Sequence, residues 1–173
     1  MHMSDAREIQ ADPATVYAAL LDAEVLKACV PGAQEVTGTA ADGFEATVVQ
    51  KVGPVKATFK GQVTMSDMVE NERLVITGEG KGGAAGFAKG GAEVTLALTD
   101  SGATLLSYEV DAKVGGKLAQ LGSRIIDGFA KKMADQFFQN LQTTIEGPAA
   151  EDEASDAPEE KKKGWIGRLT GRD

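Results

Sequence analysis

Gly78 to Gly91 is the stretch with the clearest chemical precedent, because Gly78, Gly80 and Gly83 satisfy the pattern G-x-G-x-x-G. That spacing cradles a pyrophosphate when a strand feeds a helix whose N-terminus faces the phosphates. Strand-like segments flank these glycines on both sides, so the required context is missing and nucleotide binding is set aside. A Walker loop fails as well, since Lys89 stands between Ala88 and Gly90. Two readings stay open: a wide, glycine-bent hairpin, or a cavity rim or docking loop that offers Phe87 and Lys89 to a partner.

The remaining reactive side chains are few. His2 is the only histidine and falls in what reads as a floppy terminus, so histidine base chemistry and histidine metal sites have no candidate. Cys29 is the only cysteine, which rules out an intrachain disulfide or a multi-cysteine metal site. Its small neighbours predict a buried, inert thiol. Among carboxylates, Asp67 and Glu70 sit in a turn and Glu109 points outward from a strand. Asp127 and Asp135 lie among Arg124, Lys131 and Lys132 at the helical spacings of ordinary surface pairs. The expectation is no catalytic residue and no metal ligand.

These side chains are carried by a chain of 173 residues, 42% hydrophobic, enough for one core with a tail. A formal charge of -8 argues against nucleic acid as a partner. The charged opening residues Asp5, Arg7 and Glu8 do not read as a signal peptide, and no run reaches the roughly 18 apolar residues of a membrane span. With a single cysteine, this predicts a cytoplasmic protein.

The predicted elements come in a simple order. Ala6 to Gln10 reads as a short strand or loop. Asp12 caps a helix with Pro13 at its first position, and Asp22 caps a second short helix that Pro31 and Gly32 end. From Gln34 to Val114, segments rich in Val, Thr and Phe alternate with turns and predict a meander of about six antiparallel strands. In the clearest, Val55, Ala57, Phe59, Val63 and Met65 share one face while Lys56, Lys60 and Gln62 take the other. Val94, Leu96 and Leu98 repeat the alternation, as do Leu106, Tyr108, Val110 and Ala112. Lys117 to Glu146 then carries Leu118, Leu121, Ile125, Phe129, Met133, Phe137 and Leu141 at steps of three and four, a long amphipathic helix that would cover the sheet. A curved sheet around one helix often leaves a gap. Phe59, Phe87, Leu121, Ile125, Phe129, Met133 and Phe137 are the predicted lining of a hydrophobic ligand cavity there, with a solid core as the alternative.

The predicted domain spans 1-147. An acidic linker follows over 148-160, then a basic tip over 161-173. In the tip, Lys161, Lys162, Lys163 and Arg168 flank Trp165, Ile166 and Leu169, a composition suited to an anionic bilayer surface. A solvated tail or a short partner-binding motif is the other reading, and the acidic linker could mask the lysines.

Four separated motifs stand in order along the chain: Leu26-Lys27-Ala28-Cys29-Val30-Pro31-Gly32, Val52-Gly53-Pro54-Val55-Lys56 with Phe59-Lys60-Gly61, the glycine segment, and Val114 to Arg124 continuing through Asp127-Gly128 to Phe137-Phe138. Together they resemble the CoxG family of carbon monoxide dehydrogenase subunits, a branch of the START and Bet v 1-like (SRPBCC) superfamily. The resemblance covers about residues 5 to 146. It implies an α+β helix-grip fold: a curved antiparallel sheet of about seven strands around a long C-terminal helix, with two short helices after strand 1. It further implies a non-catalytic accessory protein that brings a molybdenum-containing carbon monoxide dehydrogenase, or a related hydroxylase, to the inner face of the cytoplasmic membrane. Its ligand would be a hydrophobic small molecule such as a quinone or lipid, held without covalent attachment. A cyclase or dehydratase of the same superfamily and a ligand-free scaffold are the alternatives.

Overall fold

The computed structural model describes residues 1–147. A strand β1 (His2–Ile9) leads into helices α1 (Pro13–Leu20) and α2 (Ala23–Cys29). Six strands follow: β2 (Ala33–Thr39), β3 (Gly43–Val52), β4 (Val55–Val69), β5 (Arg73–Lys81), β6 (Phe87–Leu98) and β7 (Thr104–Gly115). The long helix α3 (Ser123–Glu146) closes the domain. The strands form one antiparallel sheet in the order β1-β7-β6-β5-β4-β3-β2. β2 to β7 are therefore a plain meander, and β1 returns to the free edge of β7 with Ile9 opposite Thr104 and His2 opposite Asp111.

Local chemistry accounts for the short helices. The Asp12 carboxylate accepts from the Thr15 N–H at 3.2 Å ahead of Pro13, and the Asp22 carboxylate accepts from Glu24 N–H at 2.8 Å. Each cap satisfies a donor that the first helical turn would leave unpaired. Alternation then sorts the sheet: Phe44, Leu74, Val94, Leu106 and Tyr108 are buried on the concave face, while Lys56, Lys60, Glu93 and Glu109 are exposed on the convex one.

Three expectations need correction. β1 begins at His2, not Ala6, and the terminus is fixed: the Met1 ammonium donates to the Ala112 carbonyl at 3.1 Å and His2 Nδ1 lies 2.8 Å from Asp111 Oδ1. The long helix begins at Ser123 rather than Lys117. Gly116 and Gly122 hold φ of 71° and 91°, conformations open to glycine that break the helix, so Leu118 and Leu121 belong to a 3-10 turn ahead of it. Twenty-four residues at 1.5 Å give about 36 Å, shorter than the whole apolar run implied. Leu98 follows the inward alternation but is 67% exposed at the β6–β7 turn, beyond the reach of the helices. The linker 148-160 and the tip 161-173 lie outside the described residues.

The main core sits at one end, with Val52, Ala85 and Leu118 buried separately at the other. Ile9, Val16, Leu20, Leu74, Leu106 and Leu141 are fully buried between the sheet, α1, α2 and the second half of α3. The polar ties of α3 gather there too: Asn140 Nδ2 donates to Cys29 O at 2.9 Å, Arg7 Nη1 to Gln142 Oε1 at 3.2 Å, and Gln10 N–H to Glu146 Oε2 at 2.7 Å. No described helix is long and apolar enough to cross a membrane.

Candidate functional site

The first half of α3 has no buried residue; the buried ones are Phe138 and Leu141. Yet Ile125, Phe129, Met133 and Phe137 run along it at steps of four, facing the concave sheet. Opposite them, Val48, Phe59, Val63, Met65 and Ile76 point inward and are likewise only half-buried; Val63, Met65, Ile76 and Phe137 pack against the core, whereas Val48, Phe59, Ile125, Phe129 and Met133 lie outside it. Large apolar groups on facing surfaces stay accessible to water only where the surfaces stand apart.

The sheet explains the separation. At the inward positions, β5 offers Gly78 and Gly80, and β6 offers Ala88 and Gly90. A methyl group built on Gly80 would have only the Phe59 Cβ within 4 Å, at 3.7 Å, and one on Gly78 would meet Val63 and the Gln62 carbonyl but nothing from α3. The floor is bare and the helix does not descend to fill it. These facing surfaces make up the candidate site: a glycine-rich stretch of β5 and β6 opposite the half-buried stripe of α3, bounded at one end by the packed core.

The other end is a mouth made by three connections: the β3–β4 turn at Gly53-Pro54, the β5–β6 loop Gly82–Gly86, and the link from β7 to α3. Leu118 N–H donates to the Ala85 carbonyl at 3.0 Å, tying the last two together. Ile125 Cγ2 and Leu121 Cδ1 lie over Gly53, 3.7 Å and 4.0 Å from where its Cβ would stand. Leu121 and Ile125, the latter 42% exposed, are thus rim residues. Phe59 lies on the floor with its ring across Gly82. Phe129, Met133 and Phe137 form the helix wall, and the Phe137 ring meets Phe138 edge-on at 4.9 Å where the cleft ends.

Phe87 does not join them. The unbroken β6–β7 register sets it on the convex face, its ring across Gly115 and 36% exposed. An aromatic ring over a strand glycine covers backbone that would otherwise be wet. Val48, Val63, Ile76 and the floor glycines are absent from the lining that the sequence predicts; their signal is a small residue at every second position of β5 and β6.

From β3 to β7 the inward positions opposite α3 carry one ionisable side chain, Tyr108. It is 3% exposed, stacked on Phe138 with centroids 4.2 Å apart, inside the packed half. Burial pushes its hydroxyl above the ordinary value, with the Asp5 and Asp135 charges adding to the effect, so it stays protonated. Glu109, by contrast, is exposed on the convex face. Among the described residues no group of His, Cys, Asp or Glu is placed to hold a metal ion. The dinucleotide reading loses its ground: Gly78 and Gly80 lie in an antiparallel strand, and only a single 3-10 turn follows.

Cys29 is fully buried, and burial raises its thiol above the ordinary 9.0, with Thr144 acting weakly the other way. A raised folded value means that the thiol's contribution to stability is complete below 9.0 and is lost as pH climbs through the higher value. Native protein at pH 8 is therefore expected to resist iodoacetamide for hours, with full labelling in denaturant; rapid native labelling would contradict the burial.

Comparison with known proteins agrees with this architecture. The family model for the CoxG subunit of carbon monoxide dehydrogenase matches residues 6–146. Among solved structures, a conserved protein from Geobacillus kaustophilus is similar at 25% identity and TM-score 0.78, covering 84% of this chain and 95% of that one. A START superfamily protein from Mycobacterium smegmatis shares 15% identity with a TM-score of 0.63, covering 84% and 97%. Ara h 8.0201 shares 14% with a TM-score of 0.56, covering 84% and 97%. The last two show the fold alone, that of START and Bet v 1-like proteins. A search of curated proteins returns no match.

Proposed function

The chain belongs to the CoxG family of carbon monoxide dehydrogenase subunits, and from that premise we propose that it is a non-catalytic accessory protein that carries a hydrophobic ligand in its cleft. The observation that carries the reading is the bare glycine floor facing a wall of half-buried Phe129, Met133 and Phe137, without a charged side chain at the inward positions of β3 to β7. Such a surface binds by apolar burial and shape and offers no acid or base to a reacting bond. A flat, largely apolar molecule such as an isoprenoid quinone, or a lipid chain, fits that chemistry. In this reading the partner is a molybdenum-containing carbon monoxide dehydrogenase or related hydroxylase, brought to the cytoplasmic membrane by the protein, with Trp165 and the basic tip as one contact with the bilayer.

Protein purified from its native cytoplasm and extracted into organic solvent is expected to release a quinone or lipid in stoichiometric amount by mass spectrometry. Added quinone at about 100 times its Kd should stabilise the fold by about 2.7 kcal/mol. An empty extract together with an unmoved melting temperature would remove the carrier reading.

A further inference from the structure

β4 outruns the strand beside it. It spans Val55–Val69, but its pairing with β5 begins only at Lys60 opposite Lys81, where β5 ends and the chain turns away at Gly82. Residues 55–59 are therefore paired on the β3 side alone, from Val52 opposite Val55 to Val48 opposite Phe59. Val52 and Val55 flank the two-residue turn Gly53-Pro54, with Gly53 at φ 57°, and such a turn is closed by a hydrogen-bonded pair. Bonding alternates from there. Val55, Ala57 and Phe59 bond to β3, while Lys56 and Thr58 turn their N–H and C=O groups the other way. Those groups of Lys56 and Thr58 have no backbone partner among the described residues.

The loop after β5 stands back from this edge. It closes on itself, with Gly82 N–H donating to the Gly86 carbonyl at 2.8 Å and Ala85 N–H to the Gly82 carbonyl at 3.1 Å. Between loop and strand runs a groove of about 430 Å³, with Pro54 to Thr58 on one side, Gly82, Ala84 and Ala85 on the other, and Lys117 beside it. Unpaired strand groups facing a recess are what an added strand needs: the ladder gives affinity, and alternate side chains give selectivity. Lys56 and Thr58 carry exposed side chains on the outer face, while Val55 and Ala57 are half-buried on the inner one. A segment laid along them sets its own alternate side chains beside Lys56 and beside Ala57.

Charge selects the occupant. The groove is lined by Lys56 and Lys117 and by no carboxylate, and Lys51 stands directly opposite Lys56. Glu45 and Glu79 flank Gln62 instead, about 13 Å further along β4. Neither groove lysine forms an ion pair among the described residues. We propose that residues 55–58 are a strand-addition site for a partner protein's extended segment that alternates acidic with apolar side chains. The proposal goes beyond the carrier reading and stands without it, because it uses backbone groups and lysines on the sheet's edge and outer face. The chain's own acidic residues are poorly placed to fill the groove. Gly147 lies one helix length, about 36 Å, from the start of α3, where Ile125 sits over Gly53. Glu153 reaches about 20 Å from Gly147 at full extension and Glu159 about 41 Å, so only a taut chain arrives, and a taut tether gives a low effective concentration.

The test uses the full chain and two blocked hexapeptides, one alternating glutamate with valine and the other lysine with valine. The glutamate peptide is expected to bind and to slow amide exchange at Lys56 and Thr58 at least about tenfold by NMR, and the lysine peptide to leave both unchanged. Lys56→Gln with Lys117→Gln should weaken binding about threefold per lysine, about tenfold together. Thr58→Pro should abolish binding with the melting temperature held within about 3 °C, because the lost N–H faces the groove and not β3. If that variant unfolds, the glutamate peptide N-methylated at its glutamates, whose N–H groups would pair with β4, makes the same test on the unaltered protein and should not bind. No binding of the glutamate peptide at about 1 mM, equal binding of both peptides, or binding that survives N-methylation overturns the proposal. So does protection of Lys56 and Thr58 before any peptide is added. Protection lost on Glu151→Gln, Glu153→Gln, Glu159→Gln and Glu160→Gln together would assign the groove to the chain's own segment, and protection that grows with protein concentration would assign it to a second copy.

Discussion

Gly80→Leu is expected to raise the melting temperature and to reduce binding of apolar ligand at least tenfold. Gly80 faces the cleft between exposed Glu79 and Lys81, and its φ is not among the positive ones, so a side chain brings no backbone strain. A Cβ there meets only Phe59, at an ordinary 3.7 Å. Glycine within a strand is unfavourable by roughly 0.5–1 kcal/mol, and a leucine that covers Phe59 and the helix wall adds apolar burial. A gain of about 1 kcal/mol corresponds to about 2–4 °C in a domain of this size. The same leucine would occupy the floor on which a ligand rests. Were the space a packed core instead, the extra atoms would force neighbours aside and cost about 1–3 kcal/mol. The sign of the shift thus separates a carrier from a solid scaffold in one calorimetric scan, and a dye titration reads the second effect. A lower melting temperature would remove the cleft altogether.

What was legible in the sequence follows from periodicity. The alternation of Val55, Ala57 and Phe59 and the three-four spacing of Ile125 to Leu141 each name a face directly, and both faces are where the pattern put them. Asp12-Pro13 and Asp22 marked helix starts because a cap is a local event. Features that depend on register were not legible. Phe87 looked like a cavity residue because its segment is glycine-rich, and only the pairing of Phe87 with Gly115 shows that it stands on the outer face. Lys60 and Lys81 are twenty-one residues apart in the chain, and nothing in either neighbourhood announces that they stand opposite each other. The start of α3 was misplaced because apolar spacing continues through Leu118 and Leu121, while the break is set by Gly116 and Gly122 taking left-handed conformations.

The helix divides at about Phe137, and alanine substitutions on its two sides are expected to behave oppositely. Leu141 is fully buried among Ile9, Leu20 and Leu106. Leu141→Ala removes that burial and leaves a void that rigid neighbours cannot close, a loss of about 2–5 kcal/mol. Phe129 sits on the same stripe three turns earlier, already half in contact with water and outside the packed clusters. Phe129→Ala forfeits little that folding had gained, and its effect on the ligand-free protein is expected to stay within about 1 kcal/mol. Its effect on the loaded protein should be large, because the stabilisation a bound ligand gives, about 2.7 kcal/mol at a hundredfold excess over Kd, shrinks as the wall is removed. Urea unfolding with and without quinone reads both quantities on each variant. Leu141→Ala should lose stability equally in the two conditions, and Phe129→Ala should lose it only with ligand present. Equal losses for the two variants without ligand would mean that α3 is core along its whole length, and the long amphipathic stripe would then need no further explanation than packing.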